Sequence, residues 1–431
     1  LLMPAGESRG RGAAQIVATP VARGLSVAAA AGVVRGGLAG AAHGAPANLP
    51  LATTAGGAAR FVAVTVTDPG AALLAVTAAG LAGVASALGE PVSMPILRVA
   101  ADGVRLVAVA GLVGLAGVAV VGAGAPFPAP EMVGTGVLAV GAAAAIRLGA
   151  TPLHIPAVRV VETARLAALP LVAVWLPAGF ALIGLDWVET TLAATGASTP
   201  VAHLVLAVLG ALTIAVAGVA ALLDDDLARL FAYGLIADGG FVVLAAASSD
   251  PAAFPAARTW IVCLGLSRTV LAVALLELES AFGTRHVNEL AGWLRRMPLT
   301  GLALLASVIV GVGLPTMLPF EARRTLAVLA LGGNLGLVAL AFGALPVLGL
   351  ARLAWVGSRP AGAAVAAGSG EWPIVRPETA LPLPARLARI WQLDRLTITA
   401  ALTLLLGLLA LLVAFGVGGL SGAAGVVPPA S

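Results

Sequence analysis

Apolar runs about as long as a bilayer is thick recur along this chain, and their repetition decides what it can fold into. A helix needs about 20 apolar residues to cross the hydrocarbon core. Ten stretches meet that need: 69–89, 103–124, 131–151, 166–188, 200–223, 230–249, 259–277, 298–320, 325–351 and 396–418. A weaker stretch, 24–43, is interrupted by Arg35, and 44–67 is rich in Gly, Ala and Pro. Only 10 % of the 431 residues are charged, where a soluble domain carries about 25 %. With a mean hydropathy of +1.05, a soluble globular protein is excluded. The single cysteine, Cys263, excludes a disulfide framework, and glycine without a triplet repeat excludes collagen. What remains is an all-α, polytopic transmembrane helix bundle of about 10–12 spans.

The domain reading follows from these runs. Residues 1–68 form an ill-defined N-terminal region with one candidate span, and 69–351 form a transmembrane core. A polar loop, 352–395, ends in an amphipathic helix from Pro384 to Arg395, and 396–431 hold a last helix and tail. The amphipathic piece reads as a helix lying at the headgroups or docking a partner subunit. The chain opens Leu-Leu-Met-Pro, as a fragment would, and no signal peptide is read there.

All 24 basic residues are arginine. The loops after the first, third, fifth, seventh and ninth spans hold 14 of them, while the alternate loops hold only Arg258, Arg323 and Arg324. The positive-inside rule places the 14 on the cytoplasmic side. The pI of 10.7 thus reflects dispersed arginine, and no clustered basic face points to nucleic acid.

An ionisable group within a span costs about 2.5–3.5 kcal/mol on insertion scales, so each needs a reason. Arg147 ends an apolar run, and Pro152, five residues later, interrupts the helix. Transporters build ion sites at such interruptions, although an arginine near a helix end also snorkels to the headgroups. Asp238 is the sole acid in 227–249 and reads as a proton carrier or as a structural acid bonded to a neighbouring helix. Arg268 lies mid-span in 259–277 with no neutralising neighbour in sequence, so its expected partner is Asp238. Arg323 follows a Gly/Pro-rich segment containing Pro315 and stands beside Glu321 and Arg324, so an interface loop is the alternative. His154, His203 and His286 match no zinc spacing. No Gly-x-Gly-x-x-Gly in strand context and no P-loop is present, so no catalytic, cofactor or metal site is expected in this chain.

Four segments together resemble one family, the antiporter-like membrane subunits of respiratory complex I, subunit N type, and of Mrp-type sodium/proton antiporters. They are Ile146-Arg-Leu-Gly-Ala-Thr-Pro-Leu-His154, Asp226-Leu-Ala-Arg-Leu-Phe-Ala-Tyr-Gly-Leu-Ile-Ala-Asp-Gly-Gly-Phe241, Gly283-Thr-Arg-His-Val-Asn-Glu-Leu-Ala-Gly-Trp-Leu-Arg-Arg-Met-Pro298 and Gly313-Leu-Pro-Thr-Met-Leu-Pro-Phe-Glu-Ala-Arg323. Their order and intervals agree over residues 130–326. The resemblance implies inverted helix repeats, each with a broken helix, and a charged axis through the membrane centre that moves protons. It also implies other membrane subunits as partners, a bacterial plasma membrane as location, and quinone and NADH as substrates of the whole complex only. Residue by residue, Arg147 takes the first broken-helix lysine, Arg268 a central lysine, Arg323 the second broken-helix lysine, and Asp238 a position often held by histidine. Pro152, Pro315, Gly332 and Gly333 take the helix breaks.

Two departures stand out. A further family lysine falls at Pro177, and the glutamate that partners the first lysine falls near 73–77, which is Leu-Leu-Ala-Val-Thr. Lysine can discharge when buried; arginine cannot. Only Asp238, His154 and His203 are then titrating candidates near the axis. The expectation is a membrane subunit of a complex I-like NADH:quinone oxidoreductase with a degraded proton route. The alternatives are a transport-inactive structural subunit, an Mrp-type antiporter subunit, or an unrelated transporter with proline-broken helices.

Overall fold

The computed structural model describes residues 68–87, 94–124, 127–164, 168–197, 199–360 and 383–416, with side chains left out at 85–87, 95 and 383–398. The candidate span 24–43, most of the 1–68 region and much of the 352–395 loop lie outside the described residues. The described chain is helical: α1 Pro69–Ala87, α2 Met94–Ala123, α3 Pro130–Arg147, α4 His154–Thr163, α5 Leu176–Thr195, α6 Pro200–Leu223, α7 Leu227–Ala246, α8 Ala253–Phe282, α9 Pro298–Val312, α10 Leu318–Leu331, α11 Gly333–Ser358 and α12 Leu383–Ala414. A π-helical turn, Pro170–Trp175, leads into α5. Six helices are long and apolar enough to cross a membrane, and three shorter apolar helices accompany them.

The helices start where backbone donors are dispensable or capped. Proline opens α3, α6 and α9, where its missing N–H would be unpaired in any case. Asp226 caps α7 by accepting from Ala228 N at 2.9 Å and Arg229 N at 3.1 Å. Helices α7 and α8 form the centre and are buried along nearly their whole length. Around them pack α3, α4, α5, α6, α9, α10, α11 and α12.

In lipid, helices associate through close backbone approach at small residues. Gly210 of α6 and Gly240 of α7 face each other so closely that a Cβ on Gly240 would lie 3.0 Å from the Gly210 carbonyl oxygen, and the reverse substitution gives 3.1 Å. Gly117 and Gly136 bring α2 and α3 together in the same reciprocal way.

Charges outside the core gather at the two ends. At one end Arg229 pairs with Glu162, Arg285 donates to the Glu162 carbonyl at 2.7 Å, and Arg352 pairs with Asp225 at 2.8 Å. At the other, Arg258 pairs with Asp186 at 3.0 Å and with Glu189. Arg229, Arg285 and Arg352 thus share one end, as their loop positions imply.

Several boundaries differ from the sequence reading: the span expected over 131–151 stops at Arg147, α4 falls between two expected spans, and two further differences follow. The span expected over 298–320 stops at Val312, and the chain re-forms a helix from Leu318 to Leu331 before Gly332 (φ +79°) starts α11. Arg323 therefore lies inside a helix and not in a loop, because Gly313 and Pro315 break the span earlier than its hydropathy indicates. The stretch 384–395 is continuous with the last span in α12.

Gly240→Val forces α6 and α7 apart, and overpacking of this kind costs about 1–3 kcal/mol. Gly122, with open space around it, is the control. Thermal unfolding in lipid nanodiscs should show a lowered Tm for Gly240→Val and little change for Gly122→Ala.

Candidate functional site

Two helix breaks organise the interior. The first separates α3 from α4 and is turned by Gly149 (φ +74°). Unpaired backbone in a bilayer is costly, so a break needs partners from neighbouring helices. Thr213 of α6 provides one: its hydroxyl accepts from Thr151 N at 3.2 Å and donates to the Leu209 carbonyl at 2.7 Å. The second break joins α9 to α10 and is turned by Gly313 (φ +66°), where a Cβ would lie 2.6 Å from Phe320 N. Pro152 and Pro315 sit in these two breaks, and Gly332 and Gly333 form the boundary between α10 and α11.

The four intramembrane charges singled out in the sequence are buried: Arg147 is 6 % exposed, Asp238 1 %, Arg268 7 % and Arg323 3 %. Asp238 of α7 and Arg268 of α8 form the expected ion pair, with Arg268 Nε donating to Asp238 Oδ2 at 2.6 Å. Arg268 Nη2 also donates to the Gly234 carbonyl at 3.3 Å. Gly234 leaves room for that guanidinium, since its Cβ would lie 3.2 Å from Nη1.

Arg323 of α10 reaches the same place from the second break. Its Cζ stands 4.9 Å from the Trp260 ring centroid and 5.6 Å from that of Phe241. These aromatic faces hold a cation by its attraction to their π clouds. Trp260 Nε1 donates to the Asp238 carbonyl at 3.1 Å, and Phe241 meets Trp260 edge-on at 6.2 Å. Arg323 lies within electrostatic reach of both Asp238 and Arg268. One carboxylate and two fixed cations are thereby assembled from α7, α8 and α10.

Arg147 is separate. It ends α3, where a helix favours positive charge, and its Nε and Nη2 have no hydrogen-bond partner. It faces a cavity of about 50 Å³ lined by Val84, Val107, Val160, Pro177 and Ile236, among others. Gly80 of α1 lies against it, its Cβ position 2.7 Å from Nη2. Two acids that flank the 73–77 segment in sequence are engaged elsewhere: Asp68 accepts from Ala71 N at the start of α1, and Asp102 pairs with Arg105. Thr77, in the segment expected to hold a glutamate, donates to the Leu73 carbonyl at 2.6 Å.

The histidines divide. His154 opens α4 beside the first break, its Nδ1 buried without a hydrogen bond and its ring 6.3 Å from that of Tyr233. His203 lies in the first turn of α6, 3.0 Å from the Thr199 hydroxyl. That is ten residues before Thr213, or about 15 Å along the helix, so His203 stands apart from the buried charges.

Several contributors escape the sequence reading. Glu277 of α8, 1 % exposed, accepts from Thr300 of α9 and Thr403 of α12, each at 2.7 Å. As the final residue of an expected span it reads as interfacial, although an acid there is its own signal. Trp175 donates to the Thr269 hydroxyl at 2.9 Å and stacks against Gly265, linking the π-helical turn to α8 beside Arg268. No spacing rule connects residues 94 positions apart in sequence.

Removing one partner of a buried ion pair costs about 3–5 kcal/mol because the other charge is stranded. Asp238→Asn and Arg268→Gln should each destabilise by that order, and the double variant by clearly less than their sum. A double-mutant cycle with no coupling would contradict the pair.

Residues 92–349, more than half of the chain, match the family described as NADH:quinone oxidoreductase/Mrp antiporter, transmembrane. The NADH-quinone oxidoreductase subunit N 2 of Syntrophobacter fumaroxidans is 36 % identical over 138 residues, which is 32 % of this chain and 29 % of that relative. The matched segment thus spans under a third of the length of this curated relative. In solved structures the same fold occurs in respiratory complex I from Thermus thermophilus with bound aureothin (TM-score 0.65, 21 % identity, covering 94 % of this chain and 88 % of that one). It also occurs in the Mrp complex from Dietzia sp. DQ12-45-1b (TM-score 0.71, 17 % identity, covering 96 % and 84 %). The interrupted helices, the buried cations and the match from residue 92 to 349 agree: this chain is a multi-pass membrane protein of the NADH:quinone oxidoreductase/Mrp antiporter family.

Proposed function

We propose that this chain is an antiporter-like membrane subunit of a complex I-type assembly and contributes to proton translocation, with Asp238 as its titrating group. The observation that carries this reading is the Asp238 carboxylate held among Arg268, Arg323 and Trp260 in the protein interior. Arginine keeps its proton, so the two guanidiniums act as fixed charges that orient the carboxylate and nearby water. Protonating Asp238 removes the negative charge between them and leaves two cations in mutual repulsion. Proton occupancy of Asp238 is then coupled to any change of charge in an adjoining subunit.

The partners in this reading are other membrane subunits in a bacterial plasma membrane. The exposed Arg324–Glu321 pair on α10 supports a lateral contact. Arg324 stands seven residues before the helix end, about 10 Å along the axis, in a region where a charge facing lipid alone is unfavourable. NADH and quinone are handled by other subunits of the assembly.

A second reading, a subunit that keeps the fold without carrying protons, is favoured by one observation. Pro177 occupies the family's further lysine position, and the cavity it shares with Arg147 is otherwise apolar. Asp238→Asn in the whole complex, reconstituted in vesicles, distinguishes the two. The expected result is a lower ratio of protons moved to electrons transferred, with the complex still assembled. An unchanged ratio in an assembled complex assigns the chain to the structural role.

A further inference from the structure

Among the described residues two carboxyl groups are buried, Asp238 and Glu277, and only the first has a role so far. Glu277 lies nine residues beyond Arg268 on α8, two and a half turns further and about 14 Å along the axis. It therefore faces away from α7 and into the seam that α8 forms with α9 and α12. Thr300 Oγ1 of α9 stands 2.7 Å from Glu277 Oε2, and Thr403 Oγ1 of α12 stands 2.7 Å from Oε1.

A count of hydrogens gives this seam two states. Thr403 Oγ1 is also 2.7 Å from the Thr399 carbonyl oxygen. A hydroxyl has one hydrogen to donate and two lone pairs that accept, and an ionised carboxylate only accepts. With Glu277 ionised, Thr403 donates to Glu277 and has nothing left for Thr399. With Glu277 protonated, its O–H donates to Thr403, which then donates to the Thr399 carbonyl, and both short contacts hold a hydrogen. Rotation of one hydroxyl converts the first arrangement into the second with no heavy atom displaced. Thr300 donates to Oε2 in either state.

The seam is near water. Glu279 is partly exposed and Ser280 exposed, and Ser280 Oγ donates to the Glu277 carbonyl at 3.0 Å. Glu279 pairs with Arg285 at 2.5 Å, and Arg296 stands 6.0 Å from the Phe282 ring centroid. No charged residue occurs in α9, and in α12 Asp394 and Arg395 precede Thr399 by about one turn.

We propose that Glu277 is a second proton-exchange site of this chain, a carboxyl that takes a proton from water at the Arg285 end and returns it there. Thr300 and Thr403 keep α9 and α12 docked on α8 in both states, because the Glu277–Thr403 hydrogen bond reverses its direction without being lost. Any part that this exchange plays in translocation rests on the reading of the chain as a proton-moving subunit; the exchange itself does not.

The test uses the full chain in lipid nanodiscs and needs no pumping, so it succeeds or fails separately from that reading. Infrared difference spectra are recorded across pH values from about 5 to 9, where the C=O stretch of a protonated carboxyl is distinct from the carboxylate bands. A carboxyl band that titrates in this range should be lost in Glu277→Gln and kept in Asp238→Asn. Glutamine accepts from Thr300 and donates to Thr403, so the seam is preserved. Thr403→Val should shift the midpoint of that band by about one unit, a tenfold change in proton affinity, and Thr403→Ser should leave it in place; this pair covers the case in which Glu277→Gln does not fold. Identical pH-dependent carboxyl bands in the wild type and Glu277→Gln, or a midpoint indifferent to Thr403→Val, would overturn the proposal.

Discussion

A break in a transmembrane helix survives only if neighbouring elements supply the hydrogen bonds and the counter-charges that lipid lacks. Both breaks in this protein depend on that condition. The first leans on the Thr213 hydroxyl of α6 and ends in Arg147; the second turns at Gly313 and leads into Arg323. The close glycine contacts of α6 with α7 and of α2 with α3 hold the helices that provide these partners. Packing and polar satisfaction are therefore the same problem here, since a helix that drifts outward takes a hydrogen-bond partner with it.

Among the described residues three arginines are buried, in three different settings: Arg268 against a carboxylate, Arg323 against aromatic faces, and Arg147 in the wall of a small, largely apolar cavity. What unites them is chemical. Each carries charge that cannot be discharged, so each is a permanent electrostatic feature of the interior. Asp238, by contrast, is a carboxylate that can gain and lose a proton, and its surroundings on α7, α8 and α10 are already arranged.

Two parts of the molecule differ in this respect. The half containing α7, α8 and α10 retains a carboxylate, two cations and aromatic partners in contact. The half containing α1 to α5 has Gly80 next to Arg147 and Pro177 in the wall of the cavity that Arg147 lines. The backbone is nonetheless shared with solved complex I and Mrp structures at 17–21 % identity.

The sequence alone determined the membrane class, the positions of most helices and four of the buried charges, Arg147, Asp238, Arg268 and Arg323. Hydropathy over about 20 residues is a local property, and an arginine or aspartate within such a run is visible without any coordinates. Pro152 and Pro315 likewise announced breaks through their own missing donors. What only the tertiary structure decided was which group answers which charge. Arg268 and Asp238 are 30 residues apart, Trp175 and Thr269 94 apart, and Arg323 meets Trp260 and Phe241 from a different helix. Such pairings follow from how helices cross, and helical periodicity within one segment contains no information about its neighbour. The structure likewise decided between the two readings of Arg323, as an intramembrane charge or part of an interface loop, by placing it in a buried helix: hydropathy reports how apolar a stretch is, whereas the turn at Gly313 decides where the stretch stops.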